Sequence, residues 1–577
     1  MAPNLWRQRQ CALTLVAMAL LSPGGWAAPQ PPGAAVASAH PVATAAGHEI
    51  LAAGGNAFDA AVAVSATLAV VEPYSSGLGG GGFWLLHRAE DGHQVMVDGR
   101  ERAPLAAHRD MYLDASGEVI PGRSVDGPLA AGIPGEPAAL VYIAERYGRL
   151  PLSHSLAPAI RAAREGFAVD DHYRRMAGFR REVLLRSPEA AAVFLDDGTV
   201  PTIGHRIRQP DLADTLEHLA RSGRAGFYAG PVARRLVDGM RAAGGIWSLE
   251  DLQRYRVVER EPVRAVFGGM TVTSAAPPSS GGVLLVEILN ILSGYDLDAL
   301  EPPRRVHFIV EAMRRAYRDR AEYLGDPDFV SMPLGRLASP EYAAGLRAGI
   351  HPDEATPSTL LAPVSGAPPA GNHTTHFSIL DGEGNRVAAT LSINYPFGAG
   401  FVVPGTGVLV NDEMDDFAAK PGVPNVYGLV GNEVNAVAPG KRPLSSMTPT
   451  FVESERGVAI LGTPGGSRII SMVLLGILEY ADGRDADALV RAPRFHHQYL
   501  PDVVELEPEA VDADGRASLE LMGHTLQEQE RPWGNMQAVT WEYGGALRAA
   551  SDPRGVGAAE VRPWEVPGDV PVRAQRP

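Results

Sequence analysis

Cysteine is almost absent from this chain of 577 residues. The single one, Cys11, lies in a short apolar run that follows Arg7 and Arg9 and precedes a cluster of small residues. This arrangement is typical of a secretory signal peptide, and we assign it to residues 1–28. An uncleaved N-terminal anchor is the alternative. Once the peptide is removed no thiol remains, so the exported protein is expected to fold without disulfides.

Long hydrophobic runs and excess positive charge are lacking too. No stretch after the signal peptide offers the ~20 unbroken apolar residues that a bilayer-spanning helix needs, which argues against an integral membrane protein. The 67 Asp and Glu residues outnumber the 51 Lys and Arg residues, and the formal net charge is -16. Removal of the two signal-peptide arginines changes this charge from -16 to -18. Such a charge disfavours nucleic acid as a partner, and the expected location is periplasmic or secreted.

Apolar residues, 45% of the chain, are arranged in regular patterns and suffice for a large core. Residues 43–71 have an alanine-rich helical pattern that two glycines interrupt, which predicts two helices. Residues 283–292 are apolar almost throughout and predict a buried helix. Residues 306–317 show apolar positions at helical spacing with arginines between them, which predicts a covering helix. No Pro/Ser-rich linker divides these patterns into separate domains.

The stretch Gly371–Ser378 joins two unlike segments. Before it, residues 361–372 are rich in Pro, Gly and Ala, which predicts an exposed loop. After it, residues 374–380 and 386–394 predict two strands, and the turn-forming residues between them have a length that hairpins use. The junction therefore has the character of a scissile site.

A symmetric loop sets the register of this hairpin. If Leu380 faces Arg386, counting back along both strands pairs Thr374 with Ser392. Directly opposed residues have β-carbons about 4.5–5.5 Å apart, and diagonal neighbours are about 7–8 Å apart. Thr374, Ser392 and the diagonal Asn394 are then expected to share one polar face.

The opposite face of the hairpin carries Thr375 and a series of apolar side chains. These are Phe377, Ile379, Val387, Ala389 and Leu391. A strand pair packed on a hydrophobic layer has this pattern, so Thr374 is assigned to the polar side. A one-residue slip would exchange the faces, and an ordinary half-buried hairpin with threonines chosen for β-propensity is the alternative.

Two motifs that suggest a cofactor or a metal are interpreted structurally. The run Gly77–Phe83 lacks the Gly-Lys-Ser/Thr ending of a phosphate loop and the spacing of a dinucleotide site, which favours close backbone packing. His496 and His497 are adjacent, so they point apart on a strand, and no cysteine or second spaced histidine pair completes a site. Neither a metal nor a cofactor is expected.

Further motifs follow one another along the whole mature chain. In order they are Gly55–Asp59, Ser76–Phe83, Gly99–Pro104, Pro277–Gly282, the Thr374 stretch, Asn411–Phe417, Ala419–Gly428, Lys441–Thr450, Thr463–Arg468, Arg491–His497 and Ser551–Arg554. In content and order, these motifs resemble those of the gamma-glutamyltransferases, also called glutathione hydrolases.

The resemblance implies an α/β (α+β) fold, the αββα sandwich of the N-terminal-nucleophile hydrolases. It also implies cleavage between His373 and Thr374, giving a large subunit (29–373) and a small subunit (374–577) that form one intertwined catalytic unit. A threonine hydroxyl needs a nearby base, and an N-terminal threonine has one in its own α-amino group, whose reference pKa is about 8. Self-cleavage by Thr374 is the simplest route to that amine.

The implied reaction transfers a γ-glutamyl group from glutathione or related amides to water or to amino-acid or peptide acceptors, through a threonyl ester. Thr374 is the implied nucleophile, Ser392 its hydroxyl partner, and Gly465 and Gly466 the oxyanion donors. Implied substrate contacts are Arg100, Ser445 and Ser446 for the α-carboxylate, Glu413 and Asp416 for the α-ammonium group, Asn394 beside Thr374, and Tyr427 in a lid over residues 421–431. Guanidinium suits the first role because it can grip a carboxylate through two parallel hydrogen bonds.

From the residues alone, simpler interpretations stay open at several of these positions. Arg100 would then form a surface ion pair, Gly465 and Gly466 a plain turn, residues 415–416 a solvated acidic turn, and Tyr427 a packed side chain on a surface loop. Each of these alternatives requires no ligand.

Two positions depart from common family patterns. Ser392 replaces the usual threonine but keeps a hydroxyl, and His373 stands where many bacterial members have glutamine, which puts the maturation rate in doubt. Two rival functions are weighed: a related amidase of the cephalosporin-acylase type, and an unprocessed, non-enzymatic binding protein. The acidic and lid motifs argue against the first, and an uncut purified chain would favour the second.

Overall fold

A computed structural model describes residues 29–361 and 374–564. The predicted signal peptide with Cys11, the predicted exposed loop except Leu361, and His373 lie outside the described residues. The helices are α1 (Pro41–Ala52), α2 (Ala57–Val71), α3 (Glu136–Arg146), α4 (Leu152–Glu165), α5 (Asp171–Leu184), α6 (Pro188–Phe194), α7 (Pro210–Ser222), α8 (Ala225–Tyr228), α9 (Gly230–Ala242), α10 (Leu249–Arg254), α11 (Gly281–Leu292), α12 (Pro302–Tyr323), α13 (Leu334–Leu337), α14 (Pro340–Arg347), α15 (Ile469–Ala481), α16 (Ala486–Arg491) and α17 (Ala513–Leu521).

The strands are β1 (Gly33–Ser38), β2 (Gly81–Arg88), β3 (His93–Gly99), β4 (Phe167–Ala168), β5 (Arg206–Ile207), β6 (Val258–Arg260), β7 (Val263–Phe267), β8 (Met270–Ser274), β9 (Thr375–Leu380), β10 (Arg386–Ser392), β11 (Val402–Val403), β12 (Val408–Leu409), β13 (Thr450–Glu453), β14 (Gly457–Gly462), β15 (Phe495–His496), β16 (Val504–Leu506), β17 (Leu526–Glu528), β18 (Gln537–Glu542), β19 (Leu547–Ser551) and β20 (Ala558–Pro563).

Two large antiparallel sheets lie face to face at the centre. The first has the order β20-β1-β9-β10-β2-β3-β6, and the second has the order β19-β18-β14-β13-β8-β7. Strands β9 and β10 pack against β14 of the second sheet. Each sheet contains strands from both sides of the predicted cleavage point, so neither half of the chain could form a complete sheet without the other.

Helices cover the outer face of each sheet. Helix α2 packs on β9 and β10 of the first sheet, while α11 and α15 pack on β7, β8 and β14 of the second. Every residue of α2 is buried, as are nearly all of α11 and α15. Helices that are apolar all round are expected to be buried in this way. The layers run helix, sheet, sheet, helix, and the predicted helices over 43–71, 283–292 and 306–317 correspond to α1, α2, α11 and α12.

None of the helices in the two described ranges combines the length and the apolarity that crossing a bilayer requires.

The β9–β10 hairpin has the predicted register. Six residue pairs run from Leu380–Arg386 to Thr375–Leu391. One further step places Thr374, immediately before β9, opposite Ser392. The register prediction is confirmed for the six pairs, and the strands are shorter than predicted.

The faces of this hairpin are also as predicted. Phe377 and Ile379 are buried in the hydrophobic core that the first sheet shares with α2. Leu380 belongs to the other large hydrophobic core, which also contains residues of β14, α11 and α15. On the face towards the second sheet, His376 Nδ1 lies 2.8 Å from Thr390 Oγ1. The polar side of the hairpin is therefore a buried hydrogen-bonded layer, because a polar group placed between two sheets has to find protein partners.

The glycine run before β2 allows close backbone packing next to the hairpin. A β-carbon on Gly79 would lie 1.9 Å from Leu409 O, and one on Gly80 would lie 2.2 Å from Ser392 O. Contacts this short exclude any side chain, so the packing interpretation is confirmed for these two glycines.

Candidate active site

Thr374, Ser392 and Asn394 line one small pocket at the end of the β9–β10 hairpin. Strand β10 ends at Ser392, and Asn394 has a φ of +71°, a left-handed conformation that asparagine tolerates better than most residues. Asn394 N donates to Ser392 Oγ at 2.8 Å, and Asn394 Nδ2 donates to Asp412 O at 3.0 Å. These bonds fix Ser392 and Asn394 at the end of the hairpin, in the pocket that Thr374 also lines.

Arg100 reaches the same pocket from the loop that follows β3. Its guanidinium lies 2.8 Å from Glu413 Oε1 through Nη1 and 2.5 Å from Asp416 Oδ2 through Nη2. Its Nε donates to Pro443 O at 3.2 Å. Arg100 is 1% exposed, so the surface ion pair considered as the simpler interpretation is wrong.

Of the acidic partners of Arg100, Glu413 is buried and Asp416 is half-buried. Glu413 and Asp416 belong to a 3₁₀ turn, Glu413–Asp416, and Asp415 within it accepts a hydrogen bond from Ser124 Oγ at 2.6 Å. The solvated acidic turn is therefore the wrong interpretation. Each carboxylate of the turn contacts a specific side chain: Glu413 and Asp416 contact Arg100, and Asp415 contacts Ser124.

Burial and the opposing charges set the ionisation of this cluster. Burial raises the pKa of Glu413 to about 7, although Arg100 opposes the rise. Burial also raises the pKa of Asp416, again against Arg100. For Arg100, burial alone would lower the pKa, but Glu413, Asp416 and Glu101 raise it above its usual value. A cation and two carboxylates within one pocket complement the zwitterionic head group of an α-amino acid.

Ser445 and Ser446 complete the wall of the pocket near Arg100. Ser445 pairs with Ser279 in a short parallel bridge, and its O accepts from Ser280 N at 2.8 Å. The Pro-Pro-Ser-Ser motif is thereby hydrogen-bonded to the Ser445–Ser446 segment, so two motifs that are far apart in the chain form one wall of the pocket.

Gly465 and Gly466 lie just before α15, and each of them lines a space that Thr374 also lines. Gly465 has a φ of +148° and Gly466 a φ of +56°, conformations that favour glycine. Residues Gly466–Arg468 form a 3₁₀ turn that continues into α15. The backbone N–H groups at such a start carry partial positive charge, which suits them to stabilise a developing oxyanion.

The segment predicted to form a lid contributes Tyr427 and Leu429 to the wall of the pocket. Tyr427 is 3% exposed, and its hydroxyl donates to Asn394 O at 2.5 Å. Asn425 Nδ2 donates to Asp416 Oδ1 at 3.1 Å, which ties the same loop to the acidic turn. The free volume beneath is about 20 Å³, room for about one water. A substrate therefore requires the lid or the Arg100 ion pairs to move.

Residues 43–562 match the family model described as Gamma-glutamyltranspeptidase. The chain belongs to the gamma-glutamyltranspeptidase family. The resemblance on which the sequence predictions rest is thereby confirmed.

Two relatives of this gamma-glutamyltranspeptidase family member are glutathione hydrolase proenzymes. The protein from Pseudomonas sp. (strain A14) is 46% identical over 478 residues, covering 81% of this chain and 82% of that protein. The protein from Escherichia coli (strain K12) is 42% identical over 506 residues, covering 87% of each.

Among solved structures, that of cephalosporin acylase from Bacillus halodurans has a TM-score of 0.80 at 28% identity, covering 95% of this chain and 99% of that one. This likeness, with the two facing sheets and their helices, confirms the predicted fold class of the N-terminal-nucleophile hydrolases.

Arg320 is a further charged residue next to the site, and sequence reasoning missed it. It extends from α12, and its guanidinium donates to Ser446 Oγ at 3.2 Å and to Ser280 Oγ at 2.9 Å. Burial lowers its pKa to about 10. A signal was present: Arg320 continues the apolar stripe of Ile309, Met313 and other buried residues of α12, where an arginine needs a buried partner.

The histidines considered as metal ligands have structural partners. His496 Nδ1 lies 2.6 Å from Ser471 Oγ, and His497 Nε2 lies 3.1 Å from Asp502 Oδ1. The two side chains point apart, as expected for adjacent residues of a strand, and they do not converge on one point. Burial lowers the pKa of both to about 4.

A different group of possible ligands was not recognised in the sequence. His307, Glu311 and His524 offer three ligand atoms within 4.8 Å of one another. However, Glu311 Oε2 lies 2.6 Å from Arg315 Nη1 and its Oε1 lies 3.2 Å from Arg314 Nε. Two guanidinium groups on the only carboxylate of the group oppose the binding of a cation.

Proposed function

We propose that this protein is a self-processing gamma-glutamyltransferase and glutathione hydrolase. The observation that carries the proposal is a buried pocket in which Arg100, Glu413 and Asp416 lie beside Thr374. An α-carboxylate would replace the acidic partners of Arg100, and an α-ammonium group would take up those carboxylates. The γ-carbonyl of the same substrate would then be presented to the threonine hydroxyl.

Maturation is the first step of the proposed mechanism. Thr374 Oγ attacks the carbonyl of His373, the peptide C–N bond breaks, and an ester forms with release of the Thr374 α-amine. Water hydrolyses the ester and leaves a large subunit, 29–373, and a small subunit, 374–577. The interleaved strands of both sheets support the expectation that the two chains stay together without disulfides.

Turnover uses the new N-terminus. The α-amine of Thr374 accepts the hydroxyl proton while Oγ attacks the γ-carbonyl of glutathione or another γ-glutamyl amide. Backbone N–H groups of Gly465 and Gly466 stabilise the oxyanion, and Ser392 supports the nucleophile. The amine departs with the proton, and a γ-glutamyl ester remains. Water yields glutamate, and an amino-acid or peptide amine yields a new γ-glutamyl amide.

An acylase of the cephalosporin type is the second candidate, because the Bacillus halodurans structure covers nearly the whole chain. The two carboxylates opposite Arg100 favour the first candidate. A glutaryl group has the carboxyl chain of γ-glutamate without its ammonium group, so it would leave Glu413 and Asp416 buried without a cationic ligand group. The proposed location is the periplasm, on the basis of the N-terminal apolar segment.

Chain processing and donor choice test the proposal together. The purified protein should run as two chains, the smaller beginning at Thr374, while Thr374→Ala should stay uncut and inactive. Thr375→Ser is the matched control, since it keeps the hydroxyl that donates to buried Glu72 and should not affect cleavage. Normal processing of Thr374→Ala would refute the nucleophile.

The donor comparison uses γ-glutamyl-p-nitroanilide and glutaryl-p-nitroanilide, which differ only at the α-amino group. The proposal predicts the higher kcat/KM for the γ-glutamyl compound. Preference for the glutaryl compound would favour the acylase, and an uncut chain that hydrolyses neither would favour a binding protein.

A further inference from the structure

Thr374 also lines a second, much larger space. An open cleft of about 1170 Å³ is lined by Thr374 and Gly465. It is distinct from the small pocket that Arg100, Ser392 and Asn394 line, which is called the Arg100 pocket below. If the small pocket holds the γ-glutamyl group, the amide nitrogen of a donor points into this cleft. The departing amine must therefore leave through it, and an acceptor must enter by the same way.

The cleft is cationic in a protein that is acidic as a whole. Arg175, Arg491, Arg531 and Arg554 line it, and Glu72 carries the only carboxyl group among the described lining residues. Glu72 is buried, its Oε2 accepts from Thr375 Oγ1 at 2.6 Å, and burial raises its pKa to about 8. Glu72 is therefore largely uncharged near neutral pH, and the described residues that line the cleft carry a net positive charge, whereas the whole chain has a formal charge of -16.

Two of these arginines already have acidic partners. Arg554 Nη2 lies 2.7 Å from Glu507 Oε2, and Arg491 Nε lies 3.0 Å from Asp487 Oδ2. Both are therefore at least partly neutralised, and neither is a strong candidate for an anionic ligand.

The other two have no acidic partner within residues 29–361 and 374–564. Arg175 is an exposed residue of α5, and its Nη2 lies 3.1 Å from His172 Nδ1, whose pKa burial lowers to about 4. Arg531 is exposed on the loop after β17. They come from separate segments that both border the cleft beside Thr374. An unpaired guanidinium is suited to bind a carboxylate through two parallel hydrogen bonds.

We propose that Arg175 and Arg531 bind the carboxylate of the leaving group and of the incoming acceptor. The acceptors are then amino acids and peptides with an unblocked carboxyl terminus, and the amine end of each faces Thr374. This inference rests on the proposed function, because the cleft is the acceptor side only if the Arg100 pocket holds the γ-glutamyl group.

A pair of acceptors that differ in one charge tests the proposal. With γ-glutamyl-p-nitroanilide as the fixed donor, the acceptor KM is measured for glycylglycine and for glycylglycinamide. The wild type should have a KM for glycylglycine at least about tenfold lower, as expected for charge-assisted hydrogen bonds to a carboxylate. In Arg175→Gln/Arg531→Gln the two values should become similar. Arg491→Gln is the matched control, a cleft arginine with an acidic partner, and should keep the wild-type ratio.

The outcomes separate this inference from the function on which it rests. No release of p-nitroaniline by the wild type without acceptor would refute the proposed function itself. Normal release with equal KM values for the two acceptors would overturn the carboxylate site alone, with no variant needed. A wild-type preference that survives in the double variant would overturn the assignment to Arg175 and Arg531.

Discussion

Replacement of Arg100 by lysine keeps the positive charge and removes the geometry, so it isolates what the guanidinium contributes. Separate nitrogens of Arg100 contact Glu413 and Asp416, and Nε donates to Pro443 O. A lysine ammonium in the same place is a single point and cannot form two parallel bonds to a substrate carboxylate. Loss of one charge-assisted hydrogen bond costs about 1.5–3 kcal/mol, so kcat/KM for a γ-glutamyl donor should fall about 10- to 150-fold.

The assay is hydrolysis of γ-glutamyl-p-nitroanilide by the processed variant, with the two-chain pattern verified on a gel. Arg102→Lys is the matched control, since Arg102 lies two residues away, donates to Gly440 O at 2.6 Å and does not line the pocket. It should change kcat/KM by less than about threefold. If processed Arg100→Lys also stays within about threefold of the wild type, Arg100 does not grip the substrate carboxylate.

Three further changes test other parts of the site. Ser392→Ala should slow processing and turnover about fivefold, because one hydrogen bond contributes about 1 kcal/mol, and unchanged rates of both would contradict a role beside Thr374. Lowering the pH through 7 should raise the donor KM, because burial raises the pKa of Glu413 to about 7 and its carboxylate is ionised only above that value. Glu413→Gln should remove this pH dependence of KM. If the dependence persists in the variant, Glu413 is not the titrating group. Deletion of residues 421–431 should alter the transfer-to-hydrolysis ratio with a fixed dipeptide acceptor and should admit bulkier donors, while cleavage before Thr374 continues. An unchanged ratio together with an unchanged donor range would show that this segment is not a lid.

The hairpin shows how far local sequence can predict this site. Its short turn-forming loop and alternating pattern were enough to obtain the pairing from Leu380–Arg386 to Thr375–Leu391, because strand register is a local property. The ends of the strands were less predictable. Strand β10 stops at Ser392, short of the predicted end, and Asn394 adopts a positive φ under contacts with a distant segment.

The expectation that a charged residue is exposed, based on residue type alone, is wrong at several positions of the site. Exposure is the usual expectation for Arg100 and for the acidic pair at 415–416, yet Arg100 and Asp415 are buried and Asp416 is half-buried. The position of Arg320 on the apolar stripe of α12 indicates burial, but it does not indicate which distant side chain Arg320 contacts. Which face it occupies depends on the packing of α12 against the Ser445–Ser446 segment.

The sequence by itself determined the family, through motifs in one order, and that resemblance implied the layered fold. Side-chain period and turn chemistry determined the β9–β10 hairpin, with Thr374 at its start, because both act over a few neighbouring residues. Only the tertiary structure decided that Arg100 lies against Glu413 and Asp416, and that Arg175 and Arg531 border one cleft without acidic partners in the part of the chain that the structure describes. Desolvation and Coulomb interaction depend on distance in space and on access of water, and neither quantity can be obtained from separation along the chain.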